Sequence, residues 1–286
     1  MEICLTVTVF FSATGNFKKQ TGGTEEYDYL KALKYGENNW RPYHMLHGCY
    51  LSINKYDKAI DISKQAMKKF NNLYIIRFDH AQSLLYTGNY EDCVKLLETT
   101  EILPTEGSHN GIIIWQNSNI LNAVKYYSLN KAARGLVFAD KAYKWPENLG
   151  VGKPYDVDER QENFVKAMIL DKFGRKKESE GLLNKITEYN KGLPEDGSAV
   201  NYLTVLALNR LGRKTEATGY FKLWMDFSGN KMISEWAKLM NSDQKDKAAA
   251  LILSDFIPSQ NIPGDSETTD ADIRIINEIA QKYSGK

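Results

Sequence analysis

The chain has 286 residues, with 37 Lys and Arg against 36 Asp and Glu, so its formal net charge is +1. That balance argues against a strongly basic nucleic-acid surface, and a 42% hydrophobic content argues against intrinsic disorder. Cys4, Cys49 and Cys93 lie far apart, lack CxxC spacing and cannot all pair, so packing rather than disulfides or zinc must hold the fold.

The first predicted element, residues 3–13 (ICLTVTVFFSA), is the most apolar stretch, yet far short of the about 20 residues a spanning helix needs. Glu2 precedes it and no Lys or Arg does, against the basic start of a secretory signal, so a cytoplasmic chain without membrane contact is expected, with a cleaved N-terminal signal as the alternative. Val7, Val9, Phe10 and Phe11 favour β structure, and glycines follow at 15, 22 and 23. Residues 1–23 therefore read as an N-terminal remnant or cap.

Next comes a helical stretch, 25–35, whose Ala32 stands 34 residues before Ala66. The same interval separates Ala59 from Cys93, Tyr56 from Tyr90 and Ala66 from Thr100. Counted from Trp40, the residues Tyr43, Leu46, Tyr50, Tyr56, Ala59 and Ala66 fall at unit positions 4, 7, 11, 17, 20 and 27. Large residues come first and small ones at 20 and 27, seven apart on one helical face, where they allow close helix approach. Length and pattern resemble the tetratricopeptide repeat. The resemblance implies a helix-turn-helix unit of which 25–35 is the second half.

A second unit starts at Tyr74 and carries Ala81, Leu84, Gly88, Tyr90 and Cys93, Gly88 supplying the positive φ of a tight turn. A third starts near Gln116, offset by 42, with an insertion expected around 103–110; it carries Ala123, Tyr126, Gly135 and Ala142. The fourth starts near Arg160, offset by 44, with Gly174 at the turn, and the fifth near Ser198, offset by 38, with Gly212 there. Residues 232–256 hold two more helical stretches. After a loop at 257–267, Thr269 is placed to cap a last helix with the stripe Ile273, Ile276, Ile279 and Tyr283, expected to close the array. The expected fold is thus all-α, a right-handed α-α superhelix of about five to six helix pairs. Its array spans 24–256, and 257–286 form a linker and capping helix.

At 102–107 (ILPTEG) and 145–156 (WPENLGVGKPYD) the sequence resembles the tetratricopeptide-type C-terminal region of large bacterial proteins. Their N-terminal part is an uncharacterised β-rich domain similar to galactose mutarotases. The resemblance covers roughly 25–222 and brings no catalytic residue. It implies either an interaction module, for which such a β-rich domain would be a partner in cis, or a helical accessory region of a larger carbohydrate-processing enzyme.

Residues 149–153 (LGVGK) look like a phosphate loop but fail the pattern, since Glu147 takes the first glycine's place and Pro154 follows the lysine. Asp156, Asp158 and Glu159 lack an EF-hand arrangement, and acids ahead of a helix suit its dipole. His44 and His47 share one side of a helix without a third zinc ligand, which favours packing. No catalytic constellation, metal site or cofactor is expected. The better candidate is the concave groove lined by the first helix of each unit. Positions 2, 5, 9, 12 and 13 give Arg41 and His44, then Phe78, Gln82 and Tyr86, then Asn117 and Tyr127. The fourth unit gives Gln161, Phe164, Asp171 and Lys172, and the fifth Tyr202, Asn209 and Arg210. Aromatic and amide side chains of mixed charge suit a peptide, or a sugar stacked on a ring. Packing of some of these aromatics inside the superhelix is the competing reading.

Overall fold

The computed structural model describes residues 22–102, 110–194, 197–255 and 273–283. The apolar stretch 3–13, most of the insertion at 103–110, and Thr269 with its loop lie outside the described residues. Among them the structure is all-helical. Helix α1 (Gly22–Tyr35) precedes six antiparallel pairs. These are α2 (Trp40–Ser52) with α3 (Tyr56–Phe70), α4 (Tyr74–Tyr86) with α5 (Tyr90–Glu98), and α6 (Asn110–Ser128) with α7 (Ala132–Ala142). They continue as α8 (Arg160–Lys172) with α9 (Lys176–Glu188), α10 (Asn201–Arg210) with α11 (Lys214–Phe227), and α12 (Lys231–Asn241) with α13 (Lys245–Asp255). Helix α14 (Ile273–Tyr283) stands apart in sequence.

Each pair turns in the same way. Asn54, Gly88, Asn130, Gly174, Gly212 and Asp243 all have φ between 56° and 78°. The residue after each donates its backbone N–H to the carbonyl five residues back, from Lys55 to Tyr50 through Gln244 to Leu239. This is the Schellman closure, which needs a left-handed residue and satisfies a carbonyl that the helix end leaves free. The small positions let the pairs close: Ala59, Ala66, Cys93, Ala142 and Ala217 are buried. At Gly135 a Cβ would lie 3.2 Å from the Ala123 carbonyl oxygen, so the third pair approaches closely there and a side chain would need its neighbour to give by a few tenths of an ångström.

The third unit differs from expectation at its start. Helix α6 has 19 residues against 13 in α2 and α4, so part of the insertion lengthens the helix instead of the loop. Ile112, Ile114 and Trp115 are buried in the core, which makes those extra turns worth forming. The two segments that carry the family resemblance meet beside it. The Ile102 N–H donates to the Asn148 carbonyl at 2.8 Å, and the Asn148 amide donates to the carbonyls of Leu97, in the last turn of α5, and of Thr100 just beyond it.

Successive first helices pack on each other, α2 on α4, α4 on α6, α6 on α8 and α8 on α10, whereas successive second helices are not among the closely packed pairs. A stack whose one row converges curves toward that row, so the first helices line the concave side.

Candidate functional site: the concave groove

The concave side is not empty. Helix α14 packs against α6, α8, α10 and α13 and does not extend the stack as one more layer. The expected closure of the array by this helix is therefore corrected: its apolar stripe turns inward onto the first helices, which removes that stripe from water. Ile273, Ile275, Ile276, Ile279, Ala280 and Tyr283 are all buried.

Four polar contacts fix its register. Arg274 donates to the Tyr56 hydroxyl at 2.9 Å and its guanidinium lies 4.1 Å from the centre of the Tyr86 ring. Asn277 Oδ1 accepts from Trp236 Nε1 at 3.0 Å, and Gln281 Nε2 donates to the Lys245 carbonyl at 2.9 Å. At the far end Arg210 donates to the Tyr283 carbonyl at 2.9 Å, a cation on a carbonyl that the helix leaves unpaired. The Tyr283 ring rests against Tyr127 at 4.4 Å and edge-on to Phe164 at 5.9 Å.

Of the groove residues expected from the sequence, Tyr86, Tyr127, Phe164 and Arg210 thus meet around α14. Phe164 is fully buried, so it forms the floor beneath α14 and is no free surface. Tyr202 is also withdrawn: its ring packs against Trp236 at 5.3 Å and Trp224 at 6.4 Å, between units. Gln82 and Asn117 are buried, Gln161 and Phe78 partly so, the last packed against the core. The physical reason is common to all: positions that face the groove are also positions where neighbouring first helices meet.

Asp171, Lys172, Asn209 and Arg41 stay exposed. Lys172 reaches back one unit to the Tyr127 carbonyl at 2.9 Å and Asn130 Oδ1 at 2.8 Å, and Asp171 lies 3.9 Å from Arg210. Arg41 lies over Trp40, 4.9 Å from the ring centre. A recess of about 460 Å³ lies at Tyr56 and Tyr86, lined also by Asn54, Lys55, Asp57, Lys58 and Thr87.

His44 belongs to a network that the sequence did not disclose. Its Nδ1 lies 2.9 Å from Asp79 of the next first helix, His47 Nδ1 lies 3.6 Å from the same carboxylate, and His47 Nε2 lies 2.8 Å from Ser83 Oγ. Burial disfavours a charged His44, but the hydrogen bond and charge of Asp79 outweigh it and leave its pKa raised; burial dominates at His47, which is lowered. The order Ser-His-Asp resembles a nucleophile chain, yet Ser83, His47 and Asp79 are all buried, so no substrate reaches the hydroxyl. Both imidazoles aim Nδ1 at the carboxylate, which makes the cluster a staple between units one and two. The hint was a spacing near one repeat, 35 residues from His44 to Asp79 and 36 from His47 to Ser83.

The loop at 150–159 is also internally satisfied. Lys153 pairs with Glu159 at 2.6 Å, and Asp158 holds the buried Arg160, whose Nη1 donates to Asn201 Oδ1 at 2.8 Å. Among the described residues no group of three or more His, Cys, Asp or Glu is arranged to hold a metal ion.

No protein-family model matches the sequence, and no curated protein does. Among solved structures, a tetratricopeptide repeat protein from Parabacteroides merdae ATCC 43184 is similar at a TM-score of 0.50. It is 14% identical, and the match covers 93% of this chain and 94% of that one. The structure of YrrB, a TPR protein with an unusual peptide-binding site, matches at a TM-score of 0.38 with 14% identity over 73% of this chain and 97% of that chain. At such identity the likeness concerns architecture alone: the chain folds as a tetratricopeptide-like α-α superhelix.

Proposed function

We propose that the chain is a non-catalytic interaction module that holds a segment of a protein partner on its concave face. The seated helix α14 supports this reading, because the chain's own helix lies on the concave face through apolar and polar contacts together. The near-neutral charge supports a protein partner over nucleic acid or membrane, and a cytoplasmic location belongs to the same proposal. The test is capture of the partner followed by calorimetry on wild type and on Arg41→Ala, Tyr86→Ala and Arg210→Ala. At least one of the three is expected to weaken binding by about 10- to 30-fold, as an interface anchor does. Equal affinities across all three would overturn the groove assignment.

The second reading, a helical accessory region of a carbohydrate-processing protein with a β-rich domain in cis, rests on the resemblance at 102–107 and 145–156. A glycan array and a binding assay with an isolated β-rich domain test it, and no binding in either removes it.

A further inference from the structure

A helix lying on a flat surface exposes about half of its side chains. Of the eleven residues of α14, only Glu278 and Lys282 are exposed, one turn apart on a single edge. The superhelix wraps the rest. The wrapping uses three kinds of contact that together read a helix more than one particular sequence. Apolar seats take Ile276, Ile279 and the ring of Tyr283. A close approach takes Ala280, which is fully buried. Arg210 grips a main-chain carbonyl at the helix end, a group that every helix presents there.

Two observations mark α14 as an imperfect occupant. The Tyr283 hydroxyl is buried with no hydrogen-bond partner among the described residues, a state that costs free energy. Burial also drives its pKa well above the usual phenol value, so the hydroxyl stays neutral. In addition, seventeen residues, 256–272, separate α14 from α13 in sequence, and it belongs to no helix pair. The six pairs close their own turns without it.

Resting on the groove reading above, we propose that the face formed by α6, α8, α10 and α13, with Trp236 of α12, is a binding site for an amphipathic helix of a partner protein, and that α14 is its built-in competitor. The competing helix carries the apolar spacing of positions 276, 279 and 283, a small residue at the place of Ala280, and a side chain without a hydroxyl, such as Phe, at the place of Tyr283. The Tyr127 and Phe164 rings then meet carbon alone.

The experiment uses the full chain. Hydrogen exchange followed by mass spectrometry is expected to show the α14 amides exchanging at least about tenfold faster than those of α6 and α8, by an opening that leaves the pairs folded. A labelled synthetic peptide of residues 269–286 carrying Tyr283→Phe is the probe. It is expected to bind a chain with Ile276→Asp, which ejects its own helix, at least about tenfold more tightly than wild type. In cis, Tyr283→Phe slows α14 exchange and weakens peptide binding. Equal exchange in α14, α6 and α8 overturns the proposal, whether or not the Ile276→Asp chain folds. So does a folded Ile276→Asp chain that ignores the peptide. A dimer that forms with rising concentration by trading α14 assigns the site to a second copy and overturns the partner-helix form. If exchange is uniform while Arg41→Ala still weakens the captured partner, the groove reading stands and only this proposal falls.

Discussion

Residue by residue, the buried ionisable groups make stability depend on pH from both sides. Burial lowers His80 to about 4, with Lys64 adding to the effect, so the unfolded chain takes up a proton there that the folded chain refuses. His80 therefore contributes stability that is present above the ordinary histidine pKa and lost as pH falls toward 4. His47 acts in the same direction, and the raised His44 opposes them with a term that is lost as pH rises. Glu162 behaves in reverse. Burial, helped by Asp158 and Glu159, raises it to about 8, and its Oε2 has no partner among the described residues. Its contribution is complete below the ordinary carboxyl pKa of 4.5 and is lost as pH rises toward 8. Melting temperature should therefore peak between these limits. Glu162→Gln should flatten the alkaline side and stabilise the chain at pH 8 by roughly 1–3 kcal/mol, the scale of an uncompensated buried polar group. A Glu162→Gln chain that loses stability at pH 8 would show that the carboxyl is paired after all.

At the scale of the element, the turns are the part most open to reading. Gly88, Gly174 and Gly212 recur at one unit position because that position demands a left-handed backbone, and glycine announces the demand. Asn54, Asn130 and Asp243 meet it as well without that announcement, so in the sixth pair the two helical stretches were legible and the turn between them was not. A Cβ on Gly174 would meet nothing within 4 Å, which isolates the backbone term. Gly174→Ala is expected to cost about 1–2 kcal/mol and Asp243→Gly to gain about 0.5–1 kcal/mol, both read as shifts of the urea midpoint at constant slope. Unchanged midpoints would mean that the turns carry no strain. The groove was less legible. Phe164 and Tyr202 have the same apolar signature whether they face a ligand, a neighbouring unit or α14, and the stripe of α14 announces burial without naming what buries it. Asp79 escaped because its histidine partner stands one repeat away, where local spacing says nothing.

For the whole molecule, a solenoid is ordinarily a chain of neighbours, each unit stabilised by the next. Arg274 breaks that rule by reaching Tyr56 across 218 residues of sequence. Closing so long a loop is entropically costly, which sets it late in folding. Stopped-flow refolding is expected to show a fast phase in far-UV ellipticity as the pairs form, then a slower one in tyrosine fluorescence as Tyr283 docks on Tyr127. Deleting 269–286 should abolish only the slower phase, and its survival would place that phase within the repeats. The same long reach has a consequence for the newly made protein. Synthesis runs from the amino terminus, so all six pairs leave the ribosome before α14 does. For that interval the rings of Tyr127 and Phe164 lack their Tyr283 contact, and on the proposal above a partner helix meets the groove before the chain's own helix can.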